Sequence, residues 1–270
     1  MTEQSTKIIA ILQARMTSSR LPGKVLRQIV GKPMLWHQIN RVKRAREYDR
    51  LIIATSSDPS DDPIAELCRE LKTECFRGNL DNVLDRYYRA AQNYEPDFVV
   101  RLTGDCPLAD PEVIDAAVRF TVENGFDYAS NSLEPTFPNG LDVEVFTFAA
   151  LEKAWKEAEL PSQKEHVTPY INRQPDKFKI GHFKQRNDLS YMRWTVDEPR
   201  DFEFVSAVYD ALYHENPNFN TEDILELLRC RPELTEINGN IERNEGFKKS
   251  LKLDEEFKKN REKNTRGKTI

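Results

Sequence analysis

Apolar residues fall along this chain in two rhythms. Apolar-rich runs at 8–12, 51–54 and 98–102 carry many β-branched side chains. Such runs mark strands covered on both faces. Between them, apolar positions recur three and four apart: Leu35, Ile39 and Val42 behind Pro33; Ile64, Leu67 and Leu71 behind Asp61, Asp62 and Pro63; Val83, Leu84 and Tyr87 or Tyr88 behind Asp81. Those spacings predict helices, with Pro in a first turn and Asp81 as an N-cap. A helix over 111–124 and a short strand over 128–131 follow. Segment 141–148 alternates Leu, Val, Val and Phe with Asp, Glu and Thr, which predicts a half-buried strand. Helices over 149–159 and 163–173, strands over 178–183 and 193–196, and helices near 199–214 and 221–230 complete the pattern.

Strand alternating with helix predicts an α/β fold with a Rossmann-like, doubly wound, mainly parallel sheet. Segment 131–190 interrupts the alternation and is expected to form a small lobe, with Trp155 and Phe178 offering a homodimer surface. The main domain is expected over 1–247. The stretch 248–270 is charge-dense and poor in apolar residues, so a polar tail or solvated helix is expected there.

Composition narrows the class. The chain has 270 residues, 39% apolar and 31% charged, enough for one sizeable core. Lys plus Arg is 40 against 45 Asp plus Glu, a net charge of −5. That balance gives no reason to expect a nucleic acid partner. No apolar run approaches the ~20 residues of a membrane span, and the N-terminus lacks a signal peptide pattern, so no membrane insertion and a cytoplasmic location are expected. The four cysteines, Cys68, Cys75, Cys106 and Cys230, form no CxxC pair, which argues against zinc and disulfide frameworks.

In open parallel sheets, ligands bind beyond the carboxyl ends of the strands. After the first strand comes QARMTSSRLPGK (13–24), with three cations, three hydroxyls and a Pro-Gly turn. Arg15, Arg20 and Lys24 can clamp a polyphosphate while Ser18, Ser19 and loop amides donate to its oxygens. The spacing is neither a Walker A loop nor a dinucleotide fingerprint. After 98–102 comes TGDCP, and after 193–196 comes DEP; Asp105 and Asp197 are thus carboxylates at strand ends, suited to a hard cation such as Mg²⁺. Taken singly, the loop also reads as a basic surface turn and the aspartates as turn or cap residues. Asp142 and Glu144, two apart on one strand face, are candidates for binding sugar hydroxyls or a second metal. His166 and Asn131 are further candidates on the substrate side. Cys106 has no base at a fixed spacing and reads as a small buried residue.

QARMTSSRLPGK resembles the signature loop of the cytidylyltransferases that activate acidic sugars, the CMP-Kdo and CMP-sialic acid synthetases. VGKPML (30–35), TGDCP (103–107) and TVDEPRD (195–201) extend the resemblance. FRGNLDNVLDRY (76–87), TGDCPLADPE (103–112) and KEHVTPYI (164–171) look closer to the spore-coat polysaccharide cytidylyltransferase-like branch. The resemblance spans about residues 7–215. It implies a glycosyltransferase-A-type α/β sandwich. It further implies that Arg15 and Lys24 bind phosphate, that Asp105 and Asp197 hold Mg²⁺, and that Gln13, Ala14, Arg15, Arg77, Gly78 and Asn79 lie near the nucleotide. The implied reaction is attack of a sugar-acid hydroxyl on the α-phosphorus of CTP, with Arg15, Lys24 and Asp105 as catalytic groups. Where sialic acid synthetases carry Gly-Gly-Ser, this chain has Met16, Thr17 and Ser18. Two other classes remain open at this point: a glycosyltransferase using a nucleotide-sugar donor, and a non-catalytic nucleotide-binding protein.

Overall fold

The computed structural model describes residues 6–241 and 245–266. Its centre is a seven-stranded, mostly parallel sheet. In chain order the strands are β1 (Ile8–Gln13), the two-residue hairpin strands β2 (Gln28–Ile29) and β3 (Lys32–Pro33), β4 (Arg50–Ser56), β5 (Glu74–Gly78), β6 (Phe98–Thr103), β7 (Tyr128–Ser130), β8 (Glu144–Thr147) and β9 (Ile180–His182). The large sheet has the order β5-β4-β1-β6-β8-β7-β9. Only β8 runs antiparallel to its neighbours, β6 and β7.

Period-two alternation along β1 divides the core. Ile8, Ala10 and Leu12 face one apolar layer, and Ile9 and Ile11 face the other. The first layer is closed by α1 (Met34–Val42), α2 (Asp62–Glu70), α4 (Pro111–Glu123), α8 (Pro199–Leu212) and α9 (Thr221–Cys230); the second by α3 (Val83–Gln92), α5 (Phe148–Glu157) and α7 (Pro169–Asn172). Two helices remain, α6 (Pro161–His166) and α10 (Glu245–Arg266). The expected doubly wound α/β sheet is therefore the observed fold.

Several local expectations change. The cap of α3 is Asn82, whose side chain accepts from the Asp85 N–H at 3.0 Å. Asp81 is instead held in the turn, its own N–H donating to Asn79 Oδ1 at 2.9 Å. The single helix over 163–173 is two, because Val167 takes φ +70° and Pro169 restarts the chain. β5 was not visible in the sequence: ECFRG has no apolar run and lies at the sheet edge. Segment 193–196 forms a single bridge, Asn139 to Arg193, rather than a strand. The 131–190 segment contributes β8 and β9 to the central sheet. Phe178, one of the two aromatics expected at a dimer surface, is buried in this chain's own core. Trp155 stacks on Tyr88 with centroids 4.1 Å apart and donates to Asp85 at 2.9 Å.

β8 is covered on both sides rather than one. Its first residue, Glu144, is buried opposite Arg101 of β6. The preceding residues 141–143 leave the ladder, and Asn131 completes their hydrogen bonds: its amide donates to the Leu141 carbonyl at 2.7 Å and accepts from the Val143 N–H at 2.8 Å. Asn131 thus stands in for a missing strand neighbour.

Gly140 fixes the next contact. It has φ +117°, and a Cβ there would lie 2.5 Å from the Thr195 nitrogen and the Trp194 carbonyl carbon. The close approach lets Asn139 accept from the Trp194 N–H at 2.6 Å. Gly140→Ala is expected to cost about 2–4 kcal/mol, since strain and steric clash act together. A chemical-denaturation midpoint equal to that of the wild type would contradict the close approach.

Candidate functional site: a basic loop facing two aspartates

A cavity of about 760 Å³ opens at the carboxyl ends of β1 and β6. The loop after β1 supplies Gln13, Ala14, Arg15, Ser18, Ser19, Arg20 and Lys24 to its wall. Asp61 of the β4–α2 connection anchors that loop. Its buried carboxylate accepts from the Met16 N–H at 2.7 Å, and from the N–H and hydroxyl of Ser56 at 3.1 and 2.5 Å. The loop closes on itself where the Gly23 N–H donates to the Met16 carbonyl at 2.9 Å.

The two aspartate motifs are joined by backbone. The Asp105 carbonyl accepts from the Val196 N–H at 2.8 Å and the Thr195 hydroxyl at 3.2 Å. Gly104 in turn donates to the Gln13 carbonyl at 2.7 Å, and a Cβ on it would meet that oxygen at 2.8 Å. Residues 13, 105 and 196 are therefore held at one point although they are far apart in the chain.

Lys24 sits at the junction. Its Nζ donates to the Val196 carbonyl at 2.6 Å and to Asp197 Oδ1 at 2.9 Å, and lies 3.6 Å from Asp105 Oδ2. Burial opposes its charge, and Asp105 and Asp197 outweigh that effect, so its pKa is raised. Burial likewise works against the Asp105 carboxylate, yet the Lys24 charge and hydrogen bonds from Thr103 and Cys106 hold its pKa below the ordinary carboxylate value. Arg20 reaches Asp197 at 3.1 Å and Glu198 at 3.2 Å. Burial, then the nearby Asp105 charge, pushes the Cys106 thiol well up, which disfavours a thiolate nucleophile.

Behind Asp197 lies a second charge pair. Arg193 and the fully buried Asp201 form a two-pronged ion pair, both contacts at 2.8 Å. Asp201 also accepts from the N–H groups of Asp197 and Glu198 and from the Asn238 amide, each at 2.9 Å. Asp201 thereby fixes the backbone that carries Asp197 and starts α8.

The other side of the cavity is built from β8, α6 and α7. Glu144 is committed to Arg101, to the Tyr128 hydroxyl at 2.6 Å and to the Thr168 hydroxyl at 2.6 Å. Asp142, in the loop before β8, also lines the wall and accepts from the Gly140 N–H at 3.2 Å. His166 reaches Ser250 Oγ at 2.9 Å. Glu165, Thr168, Asn172 and Arg173 complete this side.

Gln13, Ala14, Arg15, Ser18, Ser19, Arg20, Lys24, Asp105, Asp142, Glu144, His166 and Asp197 thus share one cavity. Arg77, Gly78, Asn79 and Asn131 do not line it. The Arg77 guanidinium is spent on the Ser56 and Asp58 carbonyls, each at 2.9 Å, and on Asp62 at 2.7 Å. The same motif reaches the cavity through Arg86 instead, which holds the Asn79 carbonyl at 2.8 Å. Arg86, Arg101 and Arg193 were missed. Arg101 did carry a signal, a lone cation inside the apolar strand FVVRLT. Among the described residues no group of three or more metal-ligating side chains converges; the carboxylates that face Lys24 are Asp105 and Asp197.

A Rossmann-like sheet whose cationic loop faces Asp105 at the end of β6 and Asp197 just before α8 fits the nucleotidyltransferase class. The match to known proteins is specific within it. A cytidylyltransferase family model covers residues 9–229, and the chain belongs to that family. The spore coat polysaccharide biosynthesis protein SpsF of Bacillus subtilis is 33% identical over 84% of this chain and 95% of its own. A cytidylyltransferase from Leptospira borgpetersenii superposes with TM-score 0.82 at 30% identity, covering 88% of this chain and 99% of that one. A CMP:2-keto-3-deoxy-manno-octonic acid synthetase complexed with CTP shares the fold, with TM-score 0.60 at 19% identity over 76% of this chain and 99% of that one. No helix of the described residues is long and apolar enough to cross a membrane.

The Asp201 pair predicts an acid response. Burial raises the Asp201 pKa, but Arg193 and the donated hydrogen bonds overcome it, leaving the net value lowered. A depressed folded pKa adds stability above the unfolded value of about 3.9, and that stability is lost as pH falls through the folded value. Urea midpoints of Asp201→Asn measured from about pH 6 down to about pH 3 should fall less steeply than those of the wild type. Asp201→Ala should cost about 3–5 kcal/mol at neutral pH, because the buried Arg193 loses its two-pronged partner and keeps only the looser contact to Asp197 at 3.6 Å. An unchanged acid limb in Asp201→Asn would contradict the assignment.

Proposed function

We propose that this cytidylyltransferase transfers CMP from CTP to a sugar acid, releasing pyrophosphate, in the synthesis of a surface glycan. The observation that carries the reading is the Lys24 ammonium lying between the Asp105 and Asp197 carboxylates at the edge of a cavity lined by Arg15 and Arg20. Two carboxylates that already converge on one cation suit Mg²⁺, which takes one or two carboxylates and completes its shell with phosphate oxygens and water. In this reading Asp105 and Asp197 hold the metal. Bound there, Mg²⁺ would neutralise phosphate charge and polarise the α-phosphoryl group. Arg15, Ser18, Ser19 and loop N–H groups bind the triphosphate, and Lys24 meets the charge that develops as pyrophosphate leaves. The acceptor hydroxyl oxygen bonds to the α-phosphorus as the bond to the pyrophosphate oxygen breaks, and the hydroxyl proton is released to water. The α6–α7 side, with His166, Asn172 and the Arg173 cation, then takes the sugar acid.

The glycosyltransferase alternative needs a free acidic pair after a middle strand. Asp142 and Glu144 are a poor match, since Glu144 is buried and spent on Arg101, Tyr128 and Thr168. A cytoplasmic location and a homodimer complete the proposal, the second testable by light scattering.

The experiment is a pyrophosphate-release screen of CTP, UTP, GTP and ATP against a panel of sugar acids and neutral sugars. Turnover with CTP and an acid is expected, and turnover only with a neutral sugar or another nucleotide would overturn the reading. Lys24→Ala and Asp105→Asn should each lose about two to three decades in kcat. Near-normal turnover in both would remove the site.

A further inference from the structure

The C-terminal stretch, expected as a polar tail or solvated helix, forms a helix docked against the cavity. α10 lies beyond the family match, which ends at residue 229. Ser250, Leu253 and Asp254 fall on one helix face by their spacing. Ser250 and Leu253 line the cavity wall. Asp254, almost fully buried, fastens the helix to the first turn of α6: it accepts from the Ser162 N–H at 2.9 Å and from the Ser162 hydroxyl at 2.5 Å. An Arg261–Glu159 ion pair adds a second tie at the surface.

We propose that α10 is a working wall of the acceptor side and that Ser250 positions His166 there, holding its ring in one tautomer; this rests on reading the cavity as a CTP and sugar-acid site. The Ser250 hydroxyl donates to Glu165 Oε2 at 2.7 Å. With its proton so directed, Ser250 Oγ accepts from His166 Nε2 at 2.9 Å. Burial lowers the His166 pKa, against a smaller opposing pull from Glu165, so the ring is neutral near pH 7. A neutral ring with its proton on Nε2 keeps a lone pair on Nδ1, the form that accepts a hydrogen bond from a hydroxyl. Ser250 is a positioning residue in this scheme, acting through His166, and Leu253 bounds the space left to the acceptor. Acceptor choice is then set partly by a helix outside the shared family region.

Two measurements on the full chain test this. The first is ring ¹⁵N NMR of His166 in the wild type, Ser250→Ala and Ser250→Thr. A single Nε2–H tautomer is expected in the wild type and the Thr variant, and a mixture in Ser250→Ala. The same tautomer in Ser250→Ala as in the wild type would overturn the proposal. The second is steady-state kinetics with the acid found by the pyrophosphate screen. Ser250→Ala should lower kcat/KM for the acid about tenfold while the KM for CTP moves less than about twofold, and Ser250→Thr should recover to within about threefold of the wild type. An unchanged kcat/KM for the acid, or a CTP KM that rises in step with it, would assign Ser250 to folding alone. A wild type that releases pyrophosphate with no acid sinks the proposed function instead, and the NMR result then decides the role of Ser250 by itself.

Discussion

A lysine taken out of water needs a counter-charge, and two carboxylates turned toward each other need a cation. Lys24, Asp105 and Asp197 meet both needs at once. Removing Lys24 takes from Asp105 the cation it faces, and removing either carboxylate leaves Lys24 with one counter-charge in place of two. The same arrangement is what a magnesium–triphosphate complex would use: acidic oxygens on one side, a fixed ammonium and guanidinium groups on the other. The stability of the site and its proposed chemistry therefore rest on the same electrostatic balance.

The fold brings those groups together mainly through backbone contacts. Gly104 allows the end of β6 to lie against the end of β1, and the Asp105 carbonyl receives both Thr195 and Val196. Gly140 permits a second close approach from the other side. Asp201 then ties the backbone of Asp197 and Glu198 to Arg193. Charged side chains so anchored need little reorganisation when a ligand arrives, which is the economy of a preorganised site.

Much of this was legible in the sequence, for physical reasons. Strands covered on both faces leave mostly apolar runs, so β1, β4 and β6 were plain, and residues that follow such strands become candidates by position. The loop 13–24 and Asp105 were found in that way; Asp197 was placed at the end of an expected strand, 193–196, that forms only a bridge, and all of them share the cavity. What escaped depended on tertiary partners. Glu144 looks like the solvent side of an alternating strand, and only its pairing with Arg101 across β6 and β8 hides it. Val167 adopts a left-handed backbone that a β-branched residue resists, so nothing local announces the break between α6 and α7. Arg77 and Asn79 sit in a motif that resembles the family, yet their polar atoms are consumed in shaping a turn. Ser250 stands in a charge-dense stretch, and its contact with His166 exists only because α10 docks.

The central claim is that the basic loop and the two aspartates form one metal–triphosphate site. The most direct measurement is a crystal structure of the protein with CTP and Mn²⁺ in place of Mg²⁺, with the metal located by its anomalous scattering. The account predicts a metal peak bound by the carboxylates of Asp105 and Asp197, with the triphosphate lying along residues 15–24. A metal held elsewhere, or a triphosphate that makes no contact with Lys24 or Arg15, would contradict it.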